Sequence, residues 1–143
     1  MRQIKMPNFK ELIERLKVNE GFRSRVYQCS LGFDTIGYGF AIKDLELTEK
    51  EAEHLLTNRV SQKHLHLLDN LDWYSDMPPE VQGVVLEMVY QLGFSGFKKF
   101  KKAISNMKDK NWKEAATEML DSRWAKQTPN RANRLADIVR EHG

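Results

Sequence analysis

The hydrophobic pattern of this chain departs from helical period in one internal segment, and that departure limits the folds open to it. Phe9, Leu12, Ile13 and Leu16 recur at i, i+3, i+4 and i+7, so residues 8–19 read as an amphipathic helix. Asn8 followed by Glu11 fits a capping box at its start. Between residues 20 and 40 the helical period is lost. Val26, Tyr27, Thr35, Ile36 and Tyr38 favour strands, Gly32, Gly37 and Gly39 punctuate them, and a short hairpin or small antiparallel sheet is expected.

Helical spacing then returns. Thr48 with Glu51 is a second capping box, opening a long helix that ends near "DNLDW". Pro78 and Pro79 mark the next start, and Val81, Val84, Val85, Met88 and Leu92 form a stripe without charge, as a buried helix requires. After Gly93, the spacing of Phe97, Phe100, Ile104 and Met107 predicts one further helix. Asn111 and Glu114 cap the helix after that, and Thr128-Pro129 supplies an N-cap and a first-turn proline for the last, which carries Ala132, Leu135, Ala136 and Val139. The expected fold is α+β and mainly helical. It has two lobes: a small antiparallel sheet in an N-terminal lobe over about 20–48, and a helical C-terminal lobe over about 71–143 that also takes the N-terminal helix. A helix over about 49–70 connects them. All 143 residues form one domain on this reading, with the cleft between lobes as the natural ligand site.

Composition removes several function classes. With 23 basic and 20 acidic residues the net charge is +3, too weak for nucleic acid but suited to a negatively charged polymer. One cysteine excludes an intramolecular disulfide. The N-terminus "MRQIKMPNFKELIERL" lacks the apolar core of a signal peptide, and no run of 18 apolar residues appears, so no membrane insertion is expected. His54, His64 and His66 have no Cys or carboxylate partner at metal-ligand spacing, so no metal site is expected.

Glu20 closes the first helix immediately before Gly21, and a hairpin brings Cys29, near the end of the first strand, close to Thr35 in the second. An acid, a second proton-transfer group and a hydroxyl that positions water are what inverting glycoside hydrolysis needs. The spacing alone does not separate that reading from a helix-end carboxylate, a buried cysteine and a strand threonine.

"NEGFRSRVYQ" followed by "FDTIGYGF" closely resembles the start of the phage-type lysozymes, the endolysin muramidases. Their hallmark is a Glu, eight residues, an Asp or Cys, five residues and a Thr, which Glu20, Cys29 and Thr35 match. "YQLGFSGF" and "SRWAKQTPNRA" resemble two further segments of that family, in the same order, so the resemblance covers residues 8–40 and 80–140. Phe40 stands where the best-known members carry a histidine, and the stretch from Gly39 to Thr48 is short, which implies a trimmed small lobe and a shallower cleft.

The resemblance implies a lysozyme that hydrolyses the β-1,4 bond between N-acetylmuramic acid and N-acetylglucosamine, with inversion and without a cofactor. Glu20 is then the general acid, and Cys29 with Thr35 holds and activates water. Arg131 is implied as the ion-pair partner that orients Glu20, and Tyr90 and Gln91 as contacts to the saccharide. Arg25, four residues before Cys29, falls on the same strand face and is a candidate for favouring the thiolate. Asp34 is a rival base, although strand alternation points it away from Thr35. The implied partner is the peptidoglycan glycan strand, met by a monomer. The implied setting is phage-driven lysis: the enzyme waits in the host cytoplasm until a holin-like protein permeabilises the membrane. A catalytically silent peptidoglycan-binding protein and a lytic transglycosylase are the alternatives. The lysines between 98 and 102 either attract anionic wall polymers or form a solvated helix face.

Overall fold

The computed structural model describes residues 6–142. Helix α1 (Phe9–Glu20) leads into a three-stranded antiparallel sheet of β1 (Arg23–Gln28), β2 (Asp34–Gly37) and β3 (Phe40–Ala41), in that order across the sheet. Helices α2 (Glu49–Asn70), α3 (Pro79–Lys98), α4 (Lys101–Lys108), α5 (Trp112–Leu120), α6 (Arg123–Gln127) and α7 (Pro129–Arg140) follow. The class is α+β and mainly helical, as expected. Contacts gather into one unit that runs to Glu51 and a second that starts at Ala52.

In the first unit, Asn8 caps α1 by accepting from the Glu11 N–H at 3.2 Å. No residue of α1 is buried. The sheet pairs Tyr27 with Thr35 and Gln28 with Asp34, and an irregularity between Arg23 and Tyr27 interrupts the regular ladder. Both halves of the predicted capping box form at the start of α2: Thr48 N–H donates to Glu51 at 2.9 Å, and Glu51 N–H to Thr48 Oγ1 at 3.1 Å.

The hydrophobic core lies in the second unit. Val81, Val84, Val85 and Met88 of α3 are buried as the uncharged stripe predicted, against Tyr74, Phe97 and Met107. Ala132, Leu135, Ala136 and Val139 turn the predicted face of α7 into the same cluster.

Three local expectations need correction. The helix expected after Gly93 is split. Gly93 kinks α3 with φ 79°, and the Phe100 N–H then bonds to Phe97 O at 3.0 Å, a tight turn that ends α3 and lets α4 begin at Lys101. Asn111 occupies the N-cap of α5 without a side-chain bond. Thr128 precedes Pro129 as predicted, but its hydroxyl donates back to Trp124 O at 3.0 Å, finishing α6 and not capping α7. That short helix, α6, went unpredicted; Ser122 caps it through the Ala125 N–H at 3.1 Å.

Candidate active site

Glu20 is the last residue of α1. Gly21 follows with φ 69° and ψ 146°, its N–H closing on Lys17 O at 2.9 Å, so the chain leaves the helix sharply and enters β1. The Glu20 carboxylate lies against the turn between β2 and β3. There Gly39 has φ +74°, and a Cβ at that position would overlap Glu20 Oε2 and stand 3.1 Å from its Cδ. The glycine at 39 is thus required twice, by its backbone and by the carboxylate beside it.

Cys29 begins the turn from β1 to β2. Its N–H donates to Phe33 O at 2.9 Å, and the Gly32 N–H donates to its carbonyl at 2.8 Å, with Gly32 at φ +84°. The thiol is half-buried. Backbone N–H groups of Phe33 and then Leu31 hold it below its ordinary pKa; slight burial opposes them, and the Thr35 hydroxyl and Gly32 N–H add smaller contributions in the same direction. Successive N–H groups of a tight turn converging on one atom make an anion-holding concavity. Arg25 is not among the groups that lower this thiol. The ladder irregularity between Arg23 and Tyr27 breaks the simple alternation on which that expectation rested.

Thr35 is buried, 4% exposed, and its Oγ1 donates to Phe33 O at 2.9 Å. Thr35 is also among the groups that hold the Cys29 thiol down, so the two side chains share one end of the hairpin. Asp34 is exposed and pairs with Gln28.

In the second unit, Arg131 of α7 donates from Nε to Glu87 Oε2 at 2.7 Å, with the two side chains 34% and 43% exposed. The carboxylate that meets Arg131 within its own unit is therefore Glu87 of α3, a residue the sequence reading did not single out. Its signal was available: Glu87, Tyr90 and Gln91 stand three and four residues apart on one helix. Tyr90 is about half exposed and lines, with Glu87 and Arg131, a hollow of about 400 Å³ walled by Leu56, Val60 and Leu86. Gln91 Oε1 accepts from Trp124 Nε1 at 2.9 Å, which ties α3 to α6.

Two of the histidines of α2 pack against aromatic side chains. His64 Nδ1 lies 2.8 Å from the Tyr74 hydroxyl, and His66 packs edge-on to Phe94. Among the described residues, no three His, Cys, Asp or Glu side chains come together as metal ligands, and no helix is long and apolar enough to cross a membrane.

Residues 17–140 match the family model described as Phage lysozyme. The chain is 28% identical over 155 residues to Probable T4-type lysozyme 1 of Dictyostelium discoideum, covering 88% of this chain and 91% of that protein. It is 27% identical to Probable T4-type lysozyme 2 of the same organism, over 89% and 92% of the two chains. It is also 27% identical to the Pre-baseplate central spike protein Gp5 of Enterobacteria phage T4, over 93% of this chain but 28% of the larger protein.

Proposed function

The chain belongs to the phage lysozyme family, whose chemistry is the hydrolysis of peptidoglycan, and we propose that it cleaves the β-1,4 bond between N-acetylmuramic acid and N-acetylglucosamine with inversion. Glu20 protonates the glycosidic oxygen as the sugar gains oxocarbenium character. Water held by Cys29 and Thr35 attacks the anomeric carbon from the opposite face, and its proton passes to the Cys29 thiolate. The base role is supported by the turn around Cys29, closed by its N–H to Phe33 O at 2.9 Å, where backbone N–H groups and Thr35 favour the ionised thiol. A thiol at its ordinary value is only a few per cent thiolate at neutral pH, too little for an effective base.

Mass spectrometry of digested peptidoglycan tests the reaction. Reducing muramic ends are expected; anhydro ends would make the enzyme a transglycosylase, and no fragments would make it a binding protein. Glu20→Gln should abolish digestion while the circular dichroism spectrum stays unchanged. Cys29→Ser should lose most activity and Cys29→Asp should retain it; a fully active Ser variant removes the base role from Cys29.

We also propose phage-driven host lysis as the setting, with the enzyme acting as a monomer once a holin-like protein opens the membrane. The family's description as phage lysozyme supports it. Relatives in an amoeba and in a phage baseplate spike show that the family occurs in more than one setting. Induced expression in bacteria discriminates: lysis should begin only when the membrane is permeabilised, and lysis without permeabilisation overturns the partner.

A further inference from the structure

Positive charge is concentrated in one stretch of the helical unit. Residues 98–126 carry nine of the 23 lysines and arginines but four of the 20 carboxylates, a net of +5, while the remainder of the chain is net negative. The structure arranges much of this charge around α4. On one side, Lys99, Lys101, Lys102 and Arg123 line a groove of about 500 Å³, joined there by the carboxylates of Glu118 and Asp121. On the other, Lys98, Lys101 and Lys108 line a hollow of about 420 Å³ that also holds Asp109. Lys101 belongs to both, so the cations form a continuous track across the helix.

Among the described residues, none of these six cations is in an ion pair, although three carboxylates line the same hollows. Like charges gathered in concave surfaces repel one another and focus a positive potential outward. An anion laid along them relieves that repulsion. The N-terminus of α4 adds to it, because Phe100 occupies the N-cap position and offers no side-chain acceptor.

We propose that this track binds a phosphodiester polymer of the bacterial wall, with successive phosphates lying on both sides of α4. Two hollows sharing one lysine suit a chain better than a single anion. None of the residues lining either hollow is an exposed large hydrophobic side chain, so the surface lacks the apolar insertion that a bilayer contact uses. The proposal rests on the reading of the chain as a wall-acting enzyme, and its test is made by binding so that the two can fail separately.

The probe is poly(glycerol phosphate), titrated by calorimetry at low and at physiological salt. Wild type should bind with an affinity that falls as salt rises. Combined Lys99→Gln, Lys101→Gln and Arg123→Gln should weaken binding by about tenfold or more at low salt, with the thermal melt unchanged. Combined Lys10→Gln, Lys50→Gln and Arg59→Gln removes the same charge elsewhere and should change affinity by less than about twofold. Absence of binding by wild type, or an equal loss in both triple variants, overturns the site. Tighter binding to vesicles of phosphatidylcholine and phosphatidylglycerol than to the polymer overturns it too, in favour of a membrane surface. Hydrolysis of polymer-free glycan, measured alongside, reports on the muramidase reading alone.

Discussion

Gly39→Ala isolates the placement of the proposed acid. At φ +74° an L-residue costs about 1–2 kcal/mol in backbone strain. That should lower the melting temperature by about 2–8 °C in a chain of this size. The new methyl would also occupy the space of Glu20 Oε2, with Cδ at 3.1 Å. Restoring ordinary contact distances moves the carboxylate by roughly 1 Å, and a misplacement of that size costs about a hundredfold in rate. Gly37→Ala is the control. Its φ is +70°, and its Cβ would meet the ring of Phe40 at 2.8 Å, an exposed side chain free to turn aside. Both variants should therefore melt early by similar amounts, whereas only Gly39→Ala should lose about a hundredfold in the release of reducing ends. The assay pairs thermal melts with reducing-end release from purified peptidoglycan. Full activity in a folded Gly39→Ala, or an equal loss in both variants, would refute the argument that Glu20 acts from its seat on Gly39.

Three further outcomes follow from particular contacts. Burial pushes the Tyr74 phenol up to about 12, so the folded chain keeps a proton that the unfolded chain loses near pH 10. This contribution, roughly 2–3 kcal/mol, is present below about pH 10 and lost between about pH 10 and 12; urea melts across that range should show the decline, and Tyr74→Phe should flatten it. Gln91→Leu strips the buried Trp124 indole N–H of its acceptor and should destabilise the chain by about 1–3 kcal/mol in a denaturant melt; an unchanged midpoint with a raised KM would make Gln91 a substrate contact only. The Cys29 thiol should react with iodoacetamide with a midpoint below that of a free thiol, and Thr35→Val should move it upward. Because folding lowers this pKa, its contribution to stability is present above the ordinary thiol value and lost as pH falls through the folded one.

The helical unit was legible in the sequence because its core obeys one rule. Val81, Val84, Val85 and Met88 recur at helical spacing with no charge among them, and each is buried. Legibility failed where a competing hydrogen bond displaces the expected local pattern. Phe97 and Phe100 keep helical spacing and both pack on the core, yet the chain turns between them through the Phe100 N–H to Phe97 O bond. Thr128 has the right neighbours for a cap, but its hydroxyl finds the Trp124 carbonyl first. In the candidate site, spacing singled out Glu20, Cys29 and Thr35. It gave no hint of Gly39 as the seat of a carboxylate, and although the spacing of Glu87 with Tyr90 and Gln91 marked one helix face, nothing in it joined Glu87 to Arg131. Both are contacts between residues far apart in the chain, and neither has a local signature.

The lone cysteine shows why backbone matters more than side-chain identity at this position. The groups that lower its pKa most are N–H donors of Phe33 and Leu31, which any sequence folding into this turn would present. Such donors stabilise whatever anion stands at residue 29, whether thiolate or carboxylate. An aspartate there would be ionised at neutral pH without help, whereas a free thiol is mostly protonated and gains from each donor the turn supplies. The proposed base role of Cys29 therefore depends on the turn from β1 to β2, pinned by Gly32 at φ +84° and by the Cys29–Phe33 hydrogen bond. Loosening that turn should harm the cysteine enzyme more than its Cys29→Asp variant, because only the thiol depends on the donors for its charge.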